Sequence, residues 1–220
     1  MGSFDWRVIQ NNLPFLMQGL LTTFQLALVG ISGGFLLGIL VGMARLSSIK
    51  VIYYPATAFV NVTRSLPLIL VIFWFYFLVP VLLGRSIGDF SSACVAFVAF
   101  EAAYFAEIVR AGIQSVSTGQ MQAAYSTGFD YRLTMRYIIV PQALRNMQPS
   151  LLTQSVIAFQ DTSLAYVIGL NEFLHSASIV DAREMRSVEL YTLVGVVYFL
   201  ICFEMSMLAK RLEAKKGHGQ

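Results

Sequence analysis

Apolar blocks alternate with short polar breaks along this chain. Five blocks read as membrane helices, at about 20–45, 54–83, 90–109, 149–170 and 190–209. The first is about the length a helix needs to cross a bilayer core. Residues 1–12 are polar and read as surface chain, and 13–17 as an interfacial stretch. The break at 171–189 carries mixed charges and reads as an exposed loop, and the tail from Lys210 as basic, solvated and partly disordered.

The longest polar interval, 117–142, has an order of its own. Ser117 to Gln120 reads S-x-x-Q, a capping box that can start a helix. Gly128 stands where a glycine would end that helix, and Asp130 can cap a second one. The second helix would place Leu133, Ile138 and Val140 together and stop before Pro141. Ala123 and Ala124 would let another surface approach the backbone. The pattern predicts helix, glycine turn, helix outside the bilayer, with a plain solvated connection as the alternative.

Within the blocks, Gly30, Gly34, Gly38 and Gly42 fall on one helix face. They mark a close helix crossing, or only the tolerance of membrane helices for glycine. Arg64 and Pro67 lie in the second block. A charge there faces a cavity or partner, or snorkels from the helix end. Glu107 and Arg110 can pair at i,i+3, and Glu101 is the candidate partner of Arg64. Gln160, Asp161, Thr162 and Ser163 interrupt the fourth block. Four polar side chains there imply a substrate pathway, or interhelical hydrogen bonds without a ligand.

Composition fits this picture. The chain of 220 residues is 57% hydrophobic and 12% charged, with mean hydropathy +0.68. A soluble domain has about 25% charged residues. The net charge of +3 gives no support to nucleic-acid binding. Cys94 and Cys202 lie in apolar runs, and His175 and His218 stand apart, so neither a disulfide framework nor a metal site is expected. The start, MGSFDWRVIQNN, lacks the basic and apolar regions of a cleavable signal.

Arg45, Lys50, Arg110, Arg132, Arg136, Arg145, Lys210, Arg211, Lys215 and Lys216 collect on one side of a five-span topology. Arg7, Arg85, Arg183 and Arg186 fall on the other. The positive side is expected to be cytoplasmic, with the N-terminus outside and the C-terminus inside.

The spacing of the polar interval resembles the EAA loop in integral-membrane subunits of bacterial ATP-binding-cassette importers. That pattern runs E-A-A, three residues, Gly, nine residues, Ile, one residue, Leu-Pro. Here it reads Gln122-Ala123-Ala124, Gly128, Ile138, Val140-Pro141. It departs at Gln122 and Val140. Gln122 loses a charge but keeps an acceptor, so docking is expected to survive and a salt bridge at that position is not. Glu101-Ala102-Ala103 spells the motif literally, but lacks the glycine and reads as membrane helix.

The segments VNVTRSLPL, FEAAYFAEIVRAGIQSVSTGQ, VPQALRNMQPSLLTQ and FQDTSLAYVIGL resemble the polar amino-acid branch of these permeases, most of all glutamate/aspartate permeases. The resemblance implies an all-α permease domain over 1–220, of the type I importer fold, in the bacterial inner membrane. It implies a second permease subunit, identical or homologous, two cytoplasmic ATPases and an extracytoplasmic amino-acid-binding protein.

The chain has no G-x-x-x-x-G-K-[ST] loop, so ATP and Mg are expected in the partner ATPase, with no cofactor held here. Gln120, Gln122, Ala123, Ala124, Gly128, Asp130, Ile138 and Pro141 are the implied coupling residues. Arg64, Gln160, Asp161, Thr162 and Ser163 are the candidate pathway. An ion-driven secondary transporter is the rival reading, and another polar amino acid the rival substrate. A membrane-embedded enzyme would need a catalytic cluster, and isolated histidines do not supply one.

Overall fold

The structure, a computed structural model, describes residues 4–217 and is helical along nearly all of them. Helix α1 spans Trp6–Ala44, 39 residues and about 58 Å. Residues 6–17 of the surface and interfacial segments expected before residue 20 are therefore part of it. They are helical because Val8 and Leu16 are buried against Phe173, Ala177 and Leu190. Asp5 caps the start, its carboxylate accepting the Arg7 N–H at 2.9 Å.

Helices α2 (Lys50–Arg64) and α3 (Leu68–Leu83) replace the single expected span 54–83, with a bend of 110° between them. Pro67 lies in the break with ψ 138°. It donates no hydrogen bond and disfavours helix at the residue before it. Helix α4 spans Asp89–Gln114, α5 Thr118–Ser126 and α6 Tyr131–Thr134. A wide π turn, Met135–Ile139, joins α6 to α7, Val140–Asp161. The chain then tightens into a 3-10 turn, Thr162–Ile168, closed by Gly169 in a left-handed conformation.

The exposed loop expected at 171–189 is instead α8, Phe173–Glu184, and the start of α9, Ser187–Gly217. Phe173, Ala177 and Val180 recur at helical spacing and are buried, which outweighs the charges between them. Buried Glu172 caps α8 by accepting the N–H groups of Leu174 at 2.9 Å and His175 at 2.6 Å. The tail expected from Lys210 continues α9 through Gly217, and His218 lies outside the described residues.

Among the described residues α1, α4 and α9 are long and apolar enough to cross a membrane, with the broken α2–α3 pair as a fourth. The fourth expected span, 149–170, is divided between polar α7 and the 3-10 turn. Val51, Val81 and Leu82 are each at least 80% exposed, a distribution suited to lipid and not to water.

The pairing fixes helix directions. Gly30, Gly34 and Gly38 of α1 meet Phe97, Glu101 and Phe105 of α4 in ascending order, so the two run parallel. Asp5 bonds Glu189, and Ala27 packs by Cys202, so α9 runs with α1. Glu101 meets Gln154 and Ser115 meets Asn146, so α7 runs against α4. The far ends of α1, α4 and α9 therefore share one face with α5 and α6.

The α1–α4 contact is backbone-close. A Cβ at Gly34 would lie 2.5 Å from the Glu101 Cβ, and one at Gly38 2.6 Å from the Phe105 Cβ. Gly195 on α9 faces open space. Gly38→Ala is expected to lower stability by about 1–3 kcal/mol through forced separation of the helices. Gly195→Ala should leave it unchanged or raise it. Thermal unfolding of the purified protein in detergent reads both.

Candidate functional site

Two features are built at or near the shared face: a charged cleft between α2, α4 and α7, and the helical hairpin beside it. The cleft begins with one carboxylate. Glu107 on α4 forms ion pairs with Arg45 at the end of α1 and with Arg110 one turn on. Arg110 Nε donates to Glu107 Oε2 at 3.2 Å. Arg64, at the end of α2, reaches the same carboxylate at 3.7 Å, beyond hydrogen-bonding distance. Its guanidinium lies 5.2 Å from the Tyr104 ring centroid, a cation–π contact. Three guanidiniums thus surround one carboxylate. The expected Arg64–Glu101 pair is not formed: Arg64 sits by Glu107, one to two turns further along α4. The expected Glu107–Arg110 pair is present.

Arg64, Tyr104 and Glu107 line a cleft of about 360 Å³, closed on the α7 side by Ser150, Thr153 and Gln154. A second hollow shares Glu107, Ile108 and Ser150 and continues to Ser115 and Asn146. Together they form a groove between α4 and α7.

Gln160, Asp161, Thr162 and Ser163 do not line it. They lie where α7 tightens into the 3-10 turn. Buried Thr162 donates to the Phe159 carbonyl at 2.6 Å, and Ser163 to the Gln160 carbonyl at 2.9 Å. The residues missed are Asn146, Ser150, Thr153 and Gln154. Their spacing of four, three and one is a polar stripe on a helix, the signal that could have found them.

The hairpin follows its local sequence closely. Ser117 caps α5, its hydroxyl accepting the Gly119 N–H at 3.2 Å. The reciprocal arm of the capping box is absent, because the Gln120 carboxamide oxygen faces the Gln142 amide at 3.5 Å. At the other end Gly128 has φ +87°. Its N–H bonds the Tyr125 carbonyl and the Phe129 N–H bonds that of Ala124, a complete Schellman motif. Asp130 caps α6 by accepting the Leu133 N–H at 2.8 Å. Gln122 and Ala123 are exposed, while Ala124 is buried.

The helix does not stop before Pro141. The π turn inserts one residue, so Pro141 falls in the first turn of α7, where no N–H is required. The extra residue also shifts the buried face. Thr134, Ile139, Ala143 and Met147 point inward, and Ile138 is only half-buried.

A family model described as the binding-protein-dependent transport system inner membrane component matches residues 34–218. The chain belongs to this family. The glutamate/aspartate import permease protein GltK of Escherichia coli O6:H1 is 43% identical to this permease over 98% of its chain and 99% of the relative. The probable glutamine ABC transporter permease protein GlnP of Bacillus subtilis is 34% identical over 94% and 96%.

The permease also matches a chain in the crystal structure of an amino acid ABC transporter with histidines, with TM-score 0.91 and 30% identity, over 97% of this chain and 100% of that one. A chain of the inward facing MetNI methionine ABC transporter shares the fold, with TM-score 0.77 and 19% identity. This protein is therefore an amino-acid ABC importer permease of the inner membrane, a transport subunit whose ATPase is a separate chain.

Glu107 is 22% exposed and carries the Arg45 and Arg110 pairs, whereas Arg64 is 40% exposed and loosely held. Glu107→Gln is expected to lower stability by about 3 kcal/mol, since it leaves half-buried guanidiniums unpaired. Arg64→Ala should cost less than about 1 kcal/mol. Thermal unfolding in detergent distinguishes the two.

Proposed function

We propose that this permease imports acidic amino acids, glutamate or aspartate, and that the α4–α7 cleft is part of their path. The observation that carries this reading is the excess of guanidiniums around Glu107: Arg45 and Arg110 pair with this carboxylate, and Arg64, beside it in the cleft lining, is left loosely held. Arg64 is the group free to meet a substrate carboxylate, because it stacks on Tyr104 and only approaches Glu107. The 43% identity to a glutamate/aspartate permease supports the same substrate. Gln160, Asp161, Thr162 and Ser163 would line a further part of the path, at the narrowing of α7.

The α5–α6 hairpin would be the docking element for the ATPase. Gln120, Gln122 and Ala123 supply its open surface, and Gly128, Asp130, Ile138 and Pro141 set its shape. The hairpin, Arg132, Arg136 and the ends of α1, α4 and α9 would face the cytoplasm, where positive charge is favoured. The N-terminus would then face outward, toward the binding protein. A second permease copy or homologue completes the path. Closure of two ATPases on ATP would move the hairpins and open the bundle outward, and hydrolysis would return it.

The test is ATPase activity of the complete transporter reconstituted in liposomes. Binding protein loaded with glutamate or aspartate should stimulate it several-fold more than the same protein offered glutamine. Equal or greater stimulation by glutamine overturns the acidic reading. Arg64→Ala should assemble normally and lose most uptake, and normal uptake by that variant removes Arg64 from the path.

For the hairpin, Gly128→Asp forces a side chain into a left-handed backbone position. Co-purification of the ATPase with the tagged permease should fall sharply. Full retention of the ATPase counts against the docking role.

A further inference from the structure

Glu101 is fully buried in α4. Arg64, its expected partner, lies at Glu107 instead. Carboxylates within membrane segments are costly and are retained for a task. Glu101 Oε2 accepts one hydrogen bond, from the Gln154 Nε2 of α7 at 3.0 Å. Its other oxygen has no hydrogen-bond partner among the described residues. Gln154 is one of the residues that line the cleft with Arg64.

We infer that Glu101 is a positioning residue for the translocated amino acid: it fixes the Gln154 amide so that the carbonyl oxygen faces the cleft as an acceptor for the substrate's ammonium group. The inference rests on the reading of this cleft as the path.

The argument turns on donor and acceptor inventory. A carboxylate accepts hydrogen bonds and cannot donate them, while a carboxamide has one end of each kind. In the structure Gln154 turns its NH₂ inward, toward Glu101. Its carbonyl oxygen is then left for the cleft, and it takes no hydrogen bond among the described residues. Without the carboxylate the amide is free to flip and present a donor, which repels an ammonium group.

Glu101 is held in place from behind. Its Cβ packs against the bare backbone of α1 at Gly34, where an added side-chain carbon would lie 2.5 Å from it. The cleft then offers both halves of a zwitterion what they need: Arg64 for a carboxylate, and Gln154 backed by Glu101 for the ammonium.

The experiment is uptake per ATP hydrolysed by the complete transporter in proteoliposomes, using whichever amino acid its binding protein delivers. Glu101→Gln is isosteric and keeps the packing, but it can donate. It is expected to reduce uptake about tenfold, the size of one charge-assisted hydrogen bond. Gln154→Ala should reduce it similarly, and adding Glu101→Gln to that variant should change nothing more.

The exchanged pair, Glu101→Gln with Gln154→Glu, again places an acceptor on the cleft and should recover uptake. A role in packing alone predicts no such recovery. Wild-type uptake by Glu101→Gln, or losses from the two single variants that multiply, overturns the inference. Should the exchanged pair fail to assemble, the single variants and their combination still decide. Because every amino acid brings an ammonium group, a transporter that carries glutamine sinks the acidic reading and leaves this test intact.

Discussion

The backbone contact between α1 and α4 is the constraint on which the rest depends. Lipid is as apolar as leucine, so burial of apolar surface does not drive helices together in a bilayer, and close dispersion contact must. Four glycines at every fourth position let α4 approach the bare backbone of α1 along a continuous face. Because the helices are parallel and in fixed register, their far ends coincide. Arg45, the residue that ends α1, therefore meets Glu107. The same register places Glu101 against Gly34 and turns its carboxylate to α7. One packing face thus sets the position of both carboxylates of α4, one at a charged end and one in an apolar interior.

Proline is accommodated in two places by one device. The π turn Trp74–Leu78 precedes Val79-Pro80, and the π turn Met135–Ile139 precedes Val140-Pro141. In each, the widened turn sets the proline where the following helix begins and needs no N–H. The result differs from a break. The chain stays helical from Tyr131 to Asp161, with Pro149 inside α7, and the buried row Thr134, Ile139, Ala143, Met147 continues across the junction. The polar stripe from Asn146 to Gln154 lies on that helix, to either side of Pro149. On the proposed reading, a displacement of the hairpin is carried to the cleft wall along this helix.

The legible parts of the chain were those set by local chemistry. Gly128 and Asp130 occupy the turn and cap that their side chains favour, and the helical spacing of the α1 glycines is directly visible. What escaped the sequence depended on long-range geometry. Pro141 signals a stop by the usual rule, and only the inserted residue of the π turn lets the helix pass. Arg64 and Glu101 were the two charges left without a partner along the chain, but the bend at Pro67 carries Arg64 to the level of Glu107. Helix α8 was masked by Asp181, Arg183 and Glu184, although Phe173, Ala177 and Val180 keep helical spacing. In α7 the polar residues at 160–163 are adjacent in sequence, whereas the sparser stripe from Asn146 to Gln154 comes together only once wound into a helix.

On the proposed reading, the geometry around Arg64 suits passage more than storage. A transport site must hold its cargo weakly enough to release it. Had Arg64 been left without an internal partner, a substrate carboxylate would meet a fully unsatisfied guanidinium and bind in a deep well. Had it been locked to Glu107 as Arg110 is, it would offer nothing. At 3.7 Å from Glu107 and stacked on Tyr104, it holds part of its charge in reserve. An arriving carboxylate would exchange one anionic neighbour for another, a change with a small net free energy in either direction. Such an exchange allows selectivity for charge without retention, which is what a path between two faces of a membrane requires.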